Sequence, residues 1–346
     1  MSFTLTDLGW SSFFQSQCPD DSTETTGHPF RIAEVHRDRL TALSPDGEAT
    51  LTCGPTLTTG EIAVGDWVLA DETGRITRCL DRQSEIKRRA AGTSAQAQLI
   101  AANVDVLFLT SSCNADFNPA RLERYLALAR SAGAFPVVVL TKADLSEDPR
   151  AYARRAERLD PMLPVLTLDA RDPADLAQLA AWVRPGQTAA LLGSSGVGKS
   201  TLLTGLTGVA APTRGIREDD AKGRHTTTAR ALRRMSNGGW LIDTPGMRAL
   251  RLTDAEEGIE AVFADIEELA HTCRFSDCSH EGEPGCAVQT AIDDGSLDPK
   301  RLDRWRKLHR ENARNSETLA QSRARDKDFG KMIRRVKSDL KGRKGY

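Results

Sequence analysis

The sequence predicts a multidomain chain: a small N-terminal β-barrel, then an α/β unit with a parallel sheet, then a helical C-terminal part. Three observations indicate this order. Short apolar or alternating runs separated by turn residues fill positions 30–80, as in a barrel or sandwich. Between 104 and 192, near-continuous apolar runs alternate with helical patterns, as in a parallel sheet covered on both faces. Beyond residue 254 the pattern is helical, interrupted by a stretch rich in Cys, His, Gly and Pro at 273–286.

Length and composition exclude several classes of protein. The chain has 346 residues, with 39% hydrophobic and 27% charged residues, which is typical of a soluble protein of two or three domains. No apolar run approaches the roughly 20 residues that span a bilayer, and residues 1–17 lack the pattern of a secretory signal. We therefore expect a cytoplasmic protein without membrane contact, whose seven Cys are thiols or metal ligands. We also expect it to be a monomer.

The first two segments are a leader and the barrel. Residues 1–27 form a polar leader, of which little is expected to be buried and which we expect to be poorly ordered. The barrel is placed at 28–90, and Lys87-Arg88-Arg89 is expected to link it to the next unit. An OB-like barrel is one candidate, and the pattern does not separate it from an SH3-like barrel. Five runs are its expected strands: 30–35, 40–43, 49–53, 62–70 and 76–80.

A phosphate-binding loop is the strongest motif. Residues 193–200 read GSSGVGKS, which matches G-x-x-x-x-G-K-[ST] in full between an apolar run and a helical pattern. Glycines let backbone N–H groups curl around phosphate oxygens, and the helix N-terminus adds positive potential. We expect Lys199 to reach the β- and γ-phosphates of a nucleotide and Ser200 to ligate Mg²⁺. The expected nucleotide contacts here are Gly193, Ser194, Ser195, Gly196, Val197, Gly198, Lys199, Ser200 and Thr201.

An acidic element follows about 45 residues after the phosphate loop. Asp243 ends the apolar run 240–243 and is followed by a turn with Gly246. D-x-x-G alone is a common turn, but at this distance from a phosphate loop it indicates a nucleotide site. We expect Asp243 to hold the metal through water and the Gly246 N–H to touch the γ-phosphate.

The choice of base is predicted from Thr141-Lys142-Ala143-Asp144, which follows the apolar run 136–140. An Asp carboxylate accepts both N1–H and N2–H₂ of guanine, whereas adenine offers no such donor pair, and a Lys stem covers the base face. The alternative is a helix N-cap with flanking charges, but the place at a strand end favours guanine. Residues 168–170 follow the next strand and are either a second base loop or a helix cap.

The order of the motifs is informative. The base motif precedes the phosphate loop, whereas in Ras-like GTPases it follows. The sequence thus predicts a circularly permuted P-loop α/β GTPase domain at 91–254. Its D-x-x-G end leads directly into the C-terminal part at 255–346, to which we expect the γ-phosphate state to be transmitted.

A threonine-rich segment lies between the phosphate loop and Asp243. Residues 223–228 read GRHTTT, and a hydroxyl from this run is expected to ligate Mg²⁺ when the γ-phosphate is present. We favour Thr227, with Thr226 and Thr228 as alternatives, and the segment also fits a Thr-rich strand start.

The sequence lacks a glutamine at the position where Ras-like GTPases use one for catalysis. Met247 stands where Ras-like enzymes have a water-orienting Gln, and a thioether does not position water, so slow intrinsic hydrolysis is expected. His225 is the candidate substitute, because an imidazole accepts a proton near neutral pH. The expected catalytic residues are therefore His225, Lys199 and Thr227.

A metal centre is predicted in the C-terminal part, where three thiols and one imidazole lie within 14 residues. Cys₃His is a closed tetrahedral set for one structural Zn²⁺, and binding supplies folding free energy to a polar loop. The alternative, small buried hydrophobes, fits a polar loop poorly. The expected ligands are Cys273, Cys278, His280 and Cys286.

Charge is distributed unevenly along the chain. Residues 300–346 hold 17 Lys and Arg against 6 Asp and Glu, a net charge of +11. The whole chain carries −1, so the preceding residues carry −12. This pattern indicates a polyanionic partner, nucleic acid first, although a solvated helical surface is the alternative. Trp305 and His309 lie in this stretch and are expected to face RNA phosphates.

Together these motifs resemble the RsgA (YjeQ/EngC) family of GTPases that depend on the small ribosomal subunit. The resemblance rests on the permuted order, the upstream barrel, the Cys-x₄-Cys-x-His-x₅-Cys loop and shorter matches at 100–105, 223–228 and 283–288, and covers roughly 30–315. It implies GTP hydrolysis stimulated by the small (30S) subunit during late maturation, contacts with rRNA, and release of other assembly factors. Thr141 stands where the family more often has Asn, which weakens affinity but leaves base choice to Asp144.

Two other functions are alternatives to a GTPase that acts on the small subunit. A constitutive RNA-binding protein with a vestigial nucleotide site is disfavoured by the intact Lys199, Ser200 and Asp243. A metabolic enzyme that uses ATP is disfavoured by Asp144 at its strand end.

Overall fold

Five strands near the N-terminus close into a barrel in the computed structural model, which describes residues 3–18, 27–55, 57–89, 97–210, 230–243 and 255–316. The strands are β1 (His28–Val35), β2 (Leu40–Ser44), β3 (Gly47–Cys53), β4 (Trp67–Ala70) and β5 (Arg75–Cys79), with a 3₁₀ turn at Thr59–Glu61. Their order is β1-β2-β3-β5-β4, and β4 returns to β1. Since β3 and β5 run parallel and the other pairs are antiparallel, the closure is of the Greek-key OB type.

A mainly parallel sheet forms the second unit. Its strands are β8 (Val106–Ser112), β9 (Phe135–Thr141), β10 (Val165–Thr167), β11 (Thr188–Gly193), β12 (Ala231–Arg234) and β13 (Trp240–Asp243). The order is β10-β9-β8-β11-β13-β12, and only β12 is antiparallel to its neighbour β13. β8 and β11 are buried along their whole length, which explains their near-continuous apolar character. The predicted α/β class is confirmed.

Four helices cover this sheet: α2 (Pro119–Ser131), α3 (Pro149–Glu157), α4 (Pro173–Ala180) and α5 (Lys199–Thr207). The first three begin in the same way, with Pro in the first turn after a capping side chain that accepts a backbone N–H. Those caps are Asn118, Asp148 and Asp172. Proline has no N–H to lose at this position, and the cap satisfies a donor that the helix leaves open.

Two connections join the barrel to the sheet. The β1 residue Glu34 pairs with Ala231 of β12, so both units share one 11-stranded sheet. An antiparallel hairpin of β6 (Glu85–Arg89) and β7 (Ala97–Ala102) follows the barrel. The expected basic linker at 87–89 is thus wrong, because these residues form strand β6. The expected boundary at residue 90 falls between the two paired strands.

The C-terminal part consists of α6 (Glu256–Val262), α7 (Ala264–His271), α8 (Ala287–Asp293) and α9 (Pro299–Ser316). Helix α6 crosses α2 so closely that a Cβ on Gly258 would lie 2.2 Å from the Ala127 carbonyl oxygen. Glu123 of α2 is fully buried and receives Arg301 of α9 at 3.1 Å and Arg304 at 2.6 Å. None of the helices in these ranges combines the length and apolar character that crossing a bilayer requires.

The N-terminal leader departs from the expectation of poor order. Residues 3–18 are folded against the barrel and the sheet, and they include the short helix α1 (Ser12–Gln15). Leu8 and Phe14 are buried in the main core, and Trp10 meets Trp67 edge-on with ring centroids 4.8 Å apart. The expectation failed because the polar residues of 19–26 masked the apolar content of 3–18. Residues 19–26 lie outside the described ranges.

Candidate nucleotide site and metal centre

The phosphate loop connects β11 to α5 at the carboxyl edge of the parallel strands. Gly196 and Gly198 have φ values of +79° and +91°, the left-handed region that glycine adopts without strain. The Lys199 ammonium donates to the Gly193 carbonyl oxygen at 2.8 Å and also to the Ser194 carbonyl. The lysine head therefore lies within the turn of the loop, and Ser200 and Thr201 follow it in the first turn of α5.

Thr141, the last residue of β9, connects this strand to the phosphate loop. Its side chain is fully buried, and its hydroxyl donates to the Val197 carbonyl oxygen at 2.6 Å. The Ser111 carbonyl oxygen lies 3.1 Å from the same hydroxyl. Gly198 passes close by, since a Cβ there would lie 3.4 Å from Thr141 Oγ1. The Thr141 hydroxyl thus faces the phosphate loop, and contact of the motif at 141–144 with guanine stays a prediction.

The two predicted base loops lie side by side. Lys142 has φ +59°, an uncommon conformation for a non-glycine residue, and begins a 3₁₀ turn at Ala143–Leu145. The Ala143 N–H donates to the Leu168 carbonyl oxygen at 3.3 Å. The structure therefore brings the motif at 141–144 and the loop at 168–170 together at one edge.

An arginine that sequence reasoning missed is hydrogen-bonded to Asp144, the carboxylate predicted to recognise the base. Arg171 Nη2 donates to Asp144 Oδ2 at 2.7 Å, and Arg171 Nε lies 3.3 Å from Asp169 Oδ1. The Arg171 side chain is 67% exposed. Asp144 and Arg171 are 27 positions apart, and no local pattern in the sequence marks them as partners.

A second missed group braces the phosphate loop. Ser194 Oγ donates to Asp116 Oδ2 at 2.8 Å and accepts from Arg121 Nη1 at 2.8 Å. Arg121 also pairs with Asp116 at 3.2 Å. Burial raises the pKa of Asp116, but the hydrogen bonds from Ser194 and Arg121 outweigh it, and the pKa lies below its ordinary value. Asp116, Arg121 and Ser194 thereby form a triangle of mutual contacts, which connects the loop after β8 and the start of α2 to the phosphate loop.

The predicted acidic element ends a third strand at the same edge. Asp243 is the last residue of β13 and is half-buried, and burial raises its pKa against the lowering effect of Arg233. Thr141, Gly193 and Asp243 therefore end three parallel strands on one side of the sheet, where open α/β sheets bind ligands. Other predicted site residues lie outside the described ranges: His225, Thr226, Thr227, Thr228, Gly246 and Met247.

The four predicted metal ligands converge in the C-terminal part. Their donor atoms all lie within 4.8 Å of one another. Cys273 Sγ is 3.9 Å from Cys286 Sγ, and His280 Nδ1 lies 3.6 Å and 3.5 Å from these two sulfurs. A tetrahedral zinc with Zn–S of about 2.3 Å and Zn–N of about 2.0–2.1 Å needs donor separations of about 3.5–3.8 Å. The cluster, completed by Cys278, is compatible with zinc.

Polar contacts fix the loop that carries these ligands. Glu283 accepts hydrogen bonds from Ser279, Glu281 and Gly282, and the Ser279 hydroxyl is the main reason that the Glu283 pKa lies well below its ordinary value. The His280 carbonyl accepts from Arg306 of α9 at 2.6 Å. The loop is thus tied both to itself and to α9.

Trp305 and His309 are half-buried on α9 and contact α7. Trp305 Nε1 donates to Glu267 Oε1 of α7 at 2.7 Å, and His309 Nε2 lies 3.5 Å from the same oxygen. Their rings pack against each other with centroids 4.6 Å apart. Both side chains are engaged with α7 and remain partly exposed, and that they face RNA phosphates stays a prediction.

Comparisons with known proteins agree with this architecture. A family model described as RsgA GTPase matches residues 79–253. The protein named small ribosomal subunit biogenesis GTPase RsgA of Mesorhizobium japonicum is 52% identical over 337 residues, which cover 96% of each chain. A Vibrio vulnificus protein named small ribosomal subunit biogenesis GTPase RsgA 2 is 49% identical, over 97% of this chain and 96% of that one.

Solved structures resemble the chain as well. YjeQ from Thermotoga maritima is similar with a TM-score of 0.59 and 26% identity, over 82% of this chain and 97% of that one. YloQ, described as a circularly permuted GTPase, has a TM-score of 0.59 and 24% identity, over 87% of this chain and 100% of that one. At this identity the second likeness indicates the fold alone.

Proposed function

Because this chain belongs to the RsgA family of GTPases, we propose that it hydrolyses GTP to GDP and phosphate during late maturation of the small (30S) ribosomal subunit. The subunit stimulates hydrolysis, and the nucleotide state controls binding and release of this protein and of other assembly factors. The names of the relatives support the role in subunit biogenesis. The protein acts in the cytoplasm as a monomer.

One observation carries the GTPase proposal: the phosphate loop and the guanine motif form a single hydrogen-bonded unit. The Thr141 hydroxyl donates to the Val197 carbonyl within the phosphate loop. Asp144 lies three residues after Thr141. A nucleotide held by its phosphates at this loop would place its base beside the loops at 141–144 and 168–170. A carboxylate at that place selects the two N–H donors of guanine.

Each predicted residue of the nucleotide and metal sites has its own proposed role. Lys142 and Asp144 bind the base, residues 193–201 bind the phosphates, and Asp243 and Gly246 act at the γ-phosphate and metal. Ser200 and Thr227 ligate Mg²⁺, which when bound neutralises charge on the phosphate oxygens. Lys199 stabilises charge that develops during transfer, and His225 replaces the absent glutamine in orienting water. A single Zn²⁺ at the Cys₃His cluster holds the loop of the C-terminal part.

The proposed domains have separate tasks. The barrel at 28–90 and the zinc-binding part at 255–346 contact rRNA, while the permuted domain at 91–254 turns over the nucleotide. The +11 charge of residues 300–346 supports an RNA partner.

GTP turnover with and without purified small ribosomal subunits tests the proposal, with ATP and large subunits as controls. We expect strong stimulation by small subunits alone and little turnover of ATP. GTP binding without any stimulation would contradict the ribosomal partner, and a preference for ATP would contradict the guanine assignment.

A further inference from the structure

We propose that Arg171 is a specificity-determining residue that occupies the base-recognition carboxylate of Asp144 and is displaced by guanine. The inference rests on the proposed function, since it deepens the account of the same site. It starts from the hydrogen bond of 2.7 Å from Arg171 Nη2 to Asp144 Oδ2. Arg171 therefore acts as an internal competitor that lowers affinity for guanine nucleotides.

The competition has a chemical basis. Guanine presents N1–H and N2–H₂ around one carbon atom, and this edge is itself a guanidine group. The guanidinium of Arg171 presents the same kind of N–H donors to the same carboxylate. Asp144 bonded to Arg171 has one oxygen already engaged, whereas guanine uses both. The base must therefore release Arg171 to make its full set of hydrogen bonds.

The loop around Arg171 allows this release at little cost. The Arg171 side chain is 67% exposed, so that it moves without unpacking a core. Asp169 holds it by a second contact of 3.3 Å and accepts the Arg171 N–H at 2.9 Å. The Asp169 N–H in turn donates to Asp175 Oδ2 of α4 at 2.8 Å. Once displaced, Arg171 stays on Asp169 while the loop backbone keeps its place.

The size of the effect follows from this exposure. Exposed ion pairs contribute about as much as a two- to fivefold change in an equilibrium constant, and salt screens them. We expect Arg171→Ala to bind GDP about two- to fivefold more tightly than the unaltered protein, with a smaller gain at high salt. Inosine diphosphate lacks the N2 amino group and should gain less. ADP, which offers no donor pair, should not gain.

The test measures the Kd of GDP, inosine diphosphate and ADP on the full-length protein by calorimetry at low and high salt. Asp144→Asn should remove the gain in a double-mutant cycle, and Arg171→Lys should give an intermediate affinity. Arg154→Ala is the matched control, because Arg154 is similarly exposed and pairs with Asp148 at 3.4 Å on the neighbouring helix.

Each outcome decides a separate claim. Equal or weaker GDP binding by Arg171→Ala would overturn the inference, and so would an equal gain for all three nucleotides. If the unaltered protein fails to prefer GDP over ADP, the proposed function itself is wrong, whatever Arg171 does.

Discussion

At the scale of single residues, the Thr141 hydroxyl links the end of β9 to the loop at 193–200. It is the buried donor to the Val197 carbonyl, 56 positions later in the chain. Thr141→Val keeps the shape but leaves that carbonyl without this donor, at a cost of about 1–3 kcal/mol. We expect GDP binding to weaken about fivefold or more. Isothermal calorimetry on Thr141→Val and on the control Thr141→Ser, which keeps a hydroxyl, checks this, and equal affinity of Val and Ser variants would contradict it.

The proposed site assigns base choice to a second single residue, Asp144. In Asp144→Asn an amide replaces one carboxylate acceptor with a donor, so guanine loses a hydrogen bond and the 2-oxo group of xanthine gains one. We expect preference to shift from GDP toward xanthosine diphosphate in competition binding. Asp148→Asn changes a carboxylate that caps α3 and should leave the preference unaltered. Retained GDP selectivity in Asp144→Asn would refute the base assignment.

At the scale of elements, the loop at 273–286, which carries the four predicted zinc ligands, makes hydrogen bonds to two helices. Cys286 accepts the Gln289 N–H at the start of α8, and Arg306 of α9 holds the His280 carbonyl. We expect about one zinc per chain and, after its removal by a chelator, loss of helical circular dichroism. Cys278→Ser should lower zinc content, whereas Cys53→Ser, in the barrel, should not. Metal-free protein with an unchanged spectrum would contradict the structural role.

Helix α2 anchors the C-terminal part through a buried charge. Glu123 is fully buried between Arg301 and Arg304 of α9, and removal of one member of such a group costs about 3–5 kcal/mol. Glu123→Gln should therefore lower the free energy of unfolding in urea by that amount. Glu311→Gln, which breaks the more exposed pair with Arg124, should cost about 1 kcal/mol or less. Equal losses in the two variants would show that burial does not decide the effect.

At the scale of the whole molecule, local sequence patterns predicted the structural features that are formed by residues close together in the sequence. The strand–loop–helix around Lys199, the alternation of strands and helices, and the Cys₃His loop follow from spacing alone. The contacts between distant segments could not be predicted in this way, because a single sequence contains no local signal that identifies long-range partners. Asp116 and Ser194 are 78 positions apart, and Glu123 and Arg301 are 178 apart.

The junction of leader, barrel and sheet illustrates the same limit. The Arg31 guanidinium is fully buried and bonds the Leu8 carbonyl and the Thr188 hydroxyl, 157 positions away. Burial lowers the pKa of Arg31 to about 10, against the raising effect of Asp105. Trp240 Nε1 of the sheet donates to the Asp7 carbonyl at 2.7 Å. A segment that looked polar on average thus joins the barrel to the α/β unit.

This junction predicts that the leader stabilises the whole protein. Phe14 is 1% exposed and contacts Trp67 of the barrel with ring centroids 5.8 Å apart. Phe14→Ala should lower the free energy of unfolding by about 3–5 kcal/mol, because it removes buried apolar surface and leaves a cavity. The adjacent Phe13 is 37% exposed and its ring packs edge-on against Phe14 with centroids 5.2 Å apart, so Phe13→Ala should cost about 1 kcal/mol, clearly less than Phe14→Ala. Urea unfolding of both variants decides the point. If Phe14→Ala proves as harmless as Phe13→Ala, the leader is not part of the core, and the link between barrel and sheet must rest on the β1–β12 pairing.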